Sequence, residues 1–343
     1  MMLQATFIGR GAVQSSTPLT SIQAAGTKCP CIWTNIFLAI SVAPPPSNLH
    51  DLEIAHKDLW VDDEPPTTHF SMNSKPSPTC LTIQAFRLST IDVAWRNVTC
   101  LTLRRIPPHE CIEAIKLAPL LESCTLSELD LSADGDSTAF HSQQVFKHMD
   151  LRKLFLRGTE VESLIIFNKG MEFSSLEELT YEAEGDFAVH SLISLFNRSG
   201  NRLKGLTLVM DDDSEEIAQG LIELLLAMPS FQNLKCEFPD RLFVHAWNNF
   251  LQQLSSLPPV LPGGIPGFLP ILQSLTLCFE YSKRYSWGYI PRIFSGSHIK
   301  VEVQKIAMHG DDRDKISQFI REGFNILILE RGQDYFQSLQ RFK

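Results

Sequence analysis

Between Val98 and Leu277 the chain repeats one short apolar pattern, L-x-x-L-x-L, seven times. The copies begin at Val98 (VTCLTL), Leu121 (LESCTL), Leu151 (LRKLFL), Leu176 (LEELTY), Leu203 (LKGLTL), Phe231 (FQNLKC) and Leu272 (LQSLTL). Successive starts lie 23, 30, 25, 27, 28 and 41 residues apart. Of the 21 key positions all are apolar or aromatic, counting Cys and Tyr, and 16 are Leu. A strand exposes alternate residues to opposite faces, so L-x-L buries two side chains and presents the intervening one to solvent.

A period of about 20–29 residues, each unit a strand and a return segment, is the signature of leucine-rich repeats. The pattern predicts an α/β solenoid, a horseshoe with parallel strands on its concave face and helices on its convex face. Helix candidates follow the strands. Pro107-Pro108 opens one, with Cys111, Ile115 and Ala118 on one face. A second starts near Asp186 with Val189, Ile193 and Phe196 in register. Ser214 is placed to cap a third, whose apolar face is Ile217, Leu221, Leu224 and Met228. A fourth follows Asp240 and uses Phe243, Trp247, Phe250 and Leu254. The Asn or Cys that closes each strand in the tight consensus is missing from nearly every copy, so the turns must satisfy their backbone in another way.

Four segments result. Residues 1–28 lack a sustained period and read as poorly ordered. Residues 29–97 carry loops and two degenerate matches, Leu49–Ile54 and Leu81–Ile83. The array proper spans 98–280, interrupted by the Pro/Gly-rich stretch Leu257–Gly267. Residues 281–343 read as an irregular C-terminal cap, with a strand at 299–303, a short helix at 314–321 and a strand at 325–329.

A net charge of −9 and a pI near 5.6 argue against broad nucleic-acid binding, which needs a basic face. No apolar run approaches the ~18 residues of a membrane span. The eight Cys are scattered, and Cys100, Cys124 and Cys236 lie inside the repeat pattern, where they read as small hydrophobes of a reducing compartment. A cytoplasmic or nuclear location is expected. Neither a metal nor a cofactor is expected: Cys29-Pro-Cys31 lacks zinc spacing, the acidic run 211–216 lacks the glycine of a calcium loop, and 263–267 lacks the Lys-Ser/Thr of a phosphate loop. His148, His190 and His245 fall in expected helices, and no Ser or Cys sits in a nucleophile motif, so the chain reads as no enzyme.

What remains is surface. The residues flanking the strand leucines form a ladder across the concave face, with small hydroxyls recurring centrally. Arg104, Phe155, Arg157, Glu182, Lys235 and Glu237 lie in it, and Tyr285 and Trp287 belong to an aromatic cluster beyond it. Aromatics and Arg are enriched among residues that anchor protein interfaces.

Pro30–Ile36 (PCIWTNI), Trp95–Leu103 (WRNVTCLTL) and Leu269–Leu277 (LPILQSLTL) resemble segments of the F-box/leucine-rich-repeat proteins abundant in mushroom-forming fungi. The resemblance covers residue 29 to the end of the chain. It implies the substrate-receptor role of a cullin-type ubiquitin ligase, in which the F-box docks the adaptor and the repeats hold a protein substrate. The F-box, expected upstream of Trp33, is not found in residues 1–28. The carry-over is therefore the substrate-binding half, with the adaptor a partner only if an F-box lies upstream. The alternative is an interaction module unconnected with ubiquitin, with no nucleic-acid or membrane partner in either case.

Overall fold

A computed structural model describes residues 49–56, 75–129, 145–183, 187–199, 202–210, 215–228, 231–238, 244–256, 272–279, 300–304, 310–322 and 326–330, together with several shorter strands. The chain divides into two compact units, 1–176 and 177–343, a division that falls inside the repeat array.

In the first unit β1 (Leu3–Gly9) runs antiparallel to β2 (Leu49–His56), which begins a parallel series. The series continues through β3 (Cys80–Gln84), β4 (Cys100–Arg104) and β5 (Ser123–Ser127). A short β6 (Phe146–His148) precedes β7 (Lys153–Arg157), which pairs with β5. β6 itself pairs in parallel with β8 (Met171–Phe173). The degenerate matches at 49–54 and 81–83 thus stand in the same ladder as the copy at Val98. The first unit's helices are α1 (Pro108–Leu117) and α2 (Val161–Gly170), packed on each other.

The second unit carries a parallel series of its own: β9 (Glu178–Ala183), β10 (Gly205–Met210), β11 (Asn233–Phe238), β12 (Ser274–Phe279), β13 (Lys300–Gln304) and β14 (Ile326–Glu330). Its helices are α3 (Val189–Arg198), α4 (Glu215–Ala227), α5 (Val244–Ser256) and α6 (Gly310–Arg321). Parallel pairing runs past residue 280 into the segment expected to be an irregular cap. Among the described residues no helix is long and apolar enough to cross a membrane.

All 21 key positions of the apolar pattern are buried. With the degenerate matches they stack in register: Leu52, Leu81, Leu101, Cys124 and Leu154 form one inward row, and Ile54, Ile83, Leu103, Leu126 and Leu156 the next. In the second unit Leu179, Leu206, Leu234 and Leu275 repeat the arrangement. Burying each such side chain is worth about 1.5–3 kcal/mol, which is why a strand of five residues suffices once its neighbours are in place.

The backbone repeats as faithfully as the leucines. Before β3, β4, β5, β9, β10 and β11 one carbonyl accepts two successive N–H groups of the next repeat. Thr99 O takes Glu122 N (2.9 Å) and Ser123 N (3.0 Å), and Glu122 O takes Arg152 N (2.9 Å) and Lys153 N (3.0 Å). Glu177, Lys204 and Gln232 do the same in the second unit. After β3, β4, β5 and β7 the next residue turns left-handed: Ala85, Arg105, Glu128 and Gly158 have φ of 54°, 53°, 51° and 54°. Three of these N–H groups then bond the last carbonyl of the following strand: Ala85 to Arg104 (2.9 Å), Arg105 to Ser127 (3.0 Å) and Glu128 to Arg157 (2.9 Å). This left-handed step replaces the missing side-chain closure, at a conformational cost of about 1–2 kcal/mol per non-glycine residue.

Three sequence readings need correction. α2 has no counterpart among the helix candidates. α3 buries Leu192, Leu195 and Phe196 rather than the Val189–Ile193 face. His148 ends a strand, not a helix, and is 3% exposed. Its Nδ1 accepts the N–H groups of Leu151 (3.1 Å) and Asp150 (3.3 Å), while Nε2 donates to Ala118 O (3.2 Å). With these three contacts the imidazole serves as a backbone fastener. Of the α5 face, Phe250 is buried, while the side chains of Phe243, Trp247 and Leu254 lie outside the described residues.

Candidate functional site

In the first unit the outward side chains fall into three aligned rows. Asp51, Cys80, Cys100, Ser123 and Lys153 stand where the strands begin. Glu53, Thr82, Thr102, Thr125 and Phe155 form the middle row. Gln84, Arg104, Ser127 and Arg157 form the third. The structure thus brings Arg104, Phe155 and Arg157 to one face: the arginines are exposed in a shared row, and Phe155 is half-buried in the neighbouring one. Neighbouring strands lie ~4.8 Å apart, so one row of such side chains spans the width of a bound peptide or helix.

In the second unit Thr180, Thr207, Lys235 and Thr276 align, beside Glu182, Val209, Glu237 and Cys278. Lys235 Nζ meets Glu237 Oε1 at 2.5 Å, so this pair answers itself on the surface. Tyr285 and Trp287 lie outside the described residues.

Sequence reasoning missed the two residues that organise the first unit's face, Arg105 and Glu128. Both occupy left-handed turn positions, which aim their side chains back toward the row of Arg104. Glu128 Oε1 accepts from Arg104 Nε (2.9 Å) and its terminal nitrogen (2.6 Å), and Oε2 accepts from Arg105 Nε (2.6 Å). Burial opposes ionisation of Glu128, but the hydrogen bonds and charge of Arg104 and Arg105 outweigh it and hold the carboxyl below the usual carboxylate range. Arg104 and Arg105 thus converge on one carboxylate.

The first row contains a second grouping that no local motif announces. His50, Asp51 and Cys80 place their ligand atoms within 4.8 Å of one another. His50 Nδ1 lies 2.8 Å from Asp51 Oδ1. Burial, then a hydrogen bond to Asp51 and the neighbouring Cys100, push the Cys80 thiol up to about 12. Such a thiol is a poor nucleophile, because the thiolate is the attacking form. The bond to Asp51 rather than to an imidazole also departs from a cysteine–histidine pair.

The chain matches no protein-family model and no curated protein.

Proposed function

We propose that the chain is a leucine-rich-repeat solenoid that holds a protein partner on the solvent face of its parallel strands, without catalysis of its own. The observation that carries this reading is the aligned surface over β2–β5 and β7. Its middle row runs from Glu53 through three threonines to Phe155, and beside it the Arg104–Glu128–Arg105 cluster and Arg157 offer cationic anchors. Small hydroxyls leave the sheet accessible to an incoming backbone or helix. Arginine held in a fixed pose by a carboxylate loses less entropy on binding than a free one.

The resemblance to fungal F-box/leucine-rich-repeat proteins gives this face a role, that of a ubiquitin-ligase substrate receptor. The test joins the full chain to an F-box module and reconstitutes it with adaptor, cullin and ubiquitin. The protein that the chain captures from a fungal lysate should then be ubiquitinated, and the chain without the module should leave it unmodified. A captured protein that stays unmodified in the complete ligase would reduce the reading to a plain interaction module. Failure to capture any protein would remove the scaffold reading itself.

A further inference from the structure

We propose that His50, Asp51 and Cys80, with Cys100 as fourth donor, bind one zinc-like divalent cation on the solvent face of the first unit.

Position comes first. Asp51, Cys80 and Cys100 are direct Cα partners on three consecutive parallel strands. Each precedes a buried leucine, Leu52, Leu81 or Leu101, so each points away from the core. Parallel pairing therefore sets a carboxylate, a thiol and a second thiol side by side at a strand spacing of ~4.8 Å. His50, next to Asp51, adds an imidazole. The ligand atoms of His50, Asp51 and Cys80 already lie within 4.8 Å of one another. A tetrahedral zinc with bonds of about 2.0–2.3 Å sets its ligand atoms about 3.3–3.8 Å apart. The separations among the three ligand atoms, all within 4.8 Å, exceed the wider of these spacings by about 1 Å at most.

Donor chemistry selects the ion. One imidazole and two thiols are soft or borderline ligands, which favour zinc or cobalt(II) over calcium or magnesium, ions that take oxygen shells. Each coordinating thiol gives its proton to buffer as the metal–sulfur bond forms, and Asp51 enters as carboxylate.

Support comes from the backbone beneath. His50 O accepts both the N–H of Thr79 (3.0 Å) and its hydroxyl (3.1 Å), which ties the strand carrying His50 and Asp51 to the residue before Cys80. The ligand backbones are thus fixed by the same ladder that builds the fold. Cys100 is exposed and Cys80 half-buried, so an ion has access from solvent.

The experiment uses the full chain, reduced and freed of metal by chelator dialysis, titrated with zinc against a chromophoric chelator and with cobalt(II) by absorption. The proposal predicts one zinc per chain and a cobalt spectrum with a thiolate charge-transfer band and tetrahedral ligand-field bands. Asp51→Asn and Cys80→Ser should each weaken zinc binding at least about 100-fold. Cys100→Ser should diminish the charge-transfer band, and an unchanged spectrum would strike Cys100 from the ligand set. Thermal unfolding controls for folding: without metal Asp51→Asn should melt with the parent, and zinc should raise the melting temperature of the parent alone. Equal zinc uptake by parent, Asp51→Asn and Cys80→Ser would overturn the site, as would no uptake by the parent.

Discussion

At the scale of the residue, Glu128 shows how one position serves both fold and surface. Its backbone closes a turn in a conformation that costs an L-residue about 1–2 kcal/mol, while its carboxylate gathers Arg104 and Arg105. All three side chains are partly exposed, so the ion pairs are worth at most about 1 kcal/mol. The sign of their pH dependence follows from the lowered carboxyl. The contribution is complete above the unfolded-state value of about 4.3 and is lost as pH falls through the lower folded-state value. Glu128→Gln should therefore lower stability by no more than about 1 kcal/mol at pH 7, and the gap should narrow below pH ~4. Urea unfolding at the two pH values checks it. A gap that widens in acid would contradict the assignment.

At the scale of the element, packing of α1 on α2 turns on Gly170. A Cβ added there would lie 2.5 Å from Ile112 Cδ1, and Ile112 is itself 1% exposed. Gly170→Ala should thus destabilise by about 1–3 kcal/mol through overpacking. Ile112→Val removes the clashing methyl, so the double variant should be more stable than the sum of the two single changes implies. Additive effects in a double-mutant cycle would contradict this contact.

The elements were unequally legible in the sequence. The strands were plain because three apolar residues at fixed spacing recur with each unit, and burial of all 21 key positions shows why that spacing is kept. The α4 face of Ile217, Leu221, Leu224 and Met228 was legible for the same reason, a clean helical period. α2 was hidden because its buried side includes Ser163, Asn168 and Gly170, so no apolar stripe marks it. His148 looked helical because the two backbone donors that hold it become visible only when the chain turns. At the site, Arg104, Phe155 and Arg157 could be placed from strand alternation alone. Arg105 and Glu128 could not, since their side chains reach that surface through left-handed turns. Cys80 likewise lies far along the chain from His50 and Asp51, and only parallel register brings it beside them.

At the scale of the whole molecule, each unit builds its core from the same inward rows and its surface from the same outward ones. On the proposed reading, the arginine cluster on one such surface is where a protein partner would be held. The most direct measurement is quantitative capture by three forms of the full chain: the parent, a face variant combining Arg104→Glu, Phe155→Ala and Arg157→Glu, and a control variant, Glu113→Lys at an exposed position of α1. All three should first give matching circular dichroism. The account predicts one protein recovered by the parent and the control and depleted at least about tenfold by the face variant, the effect of losing about 1.4 kcal/mol. Undiminished recovery by the face variant, or depletion by the Glu113→Lys control to the same extent, would contradict it.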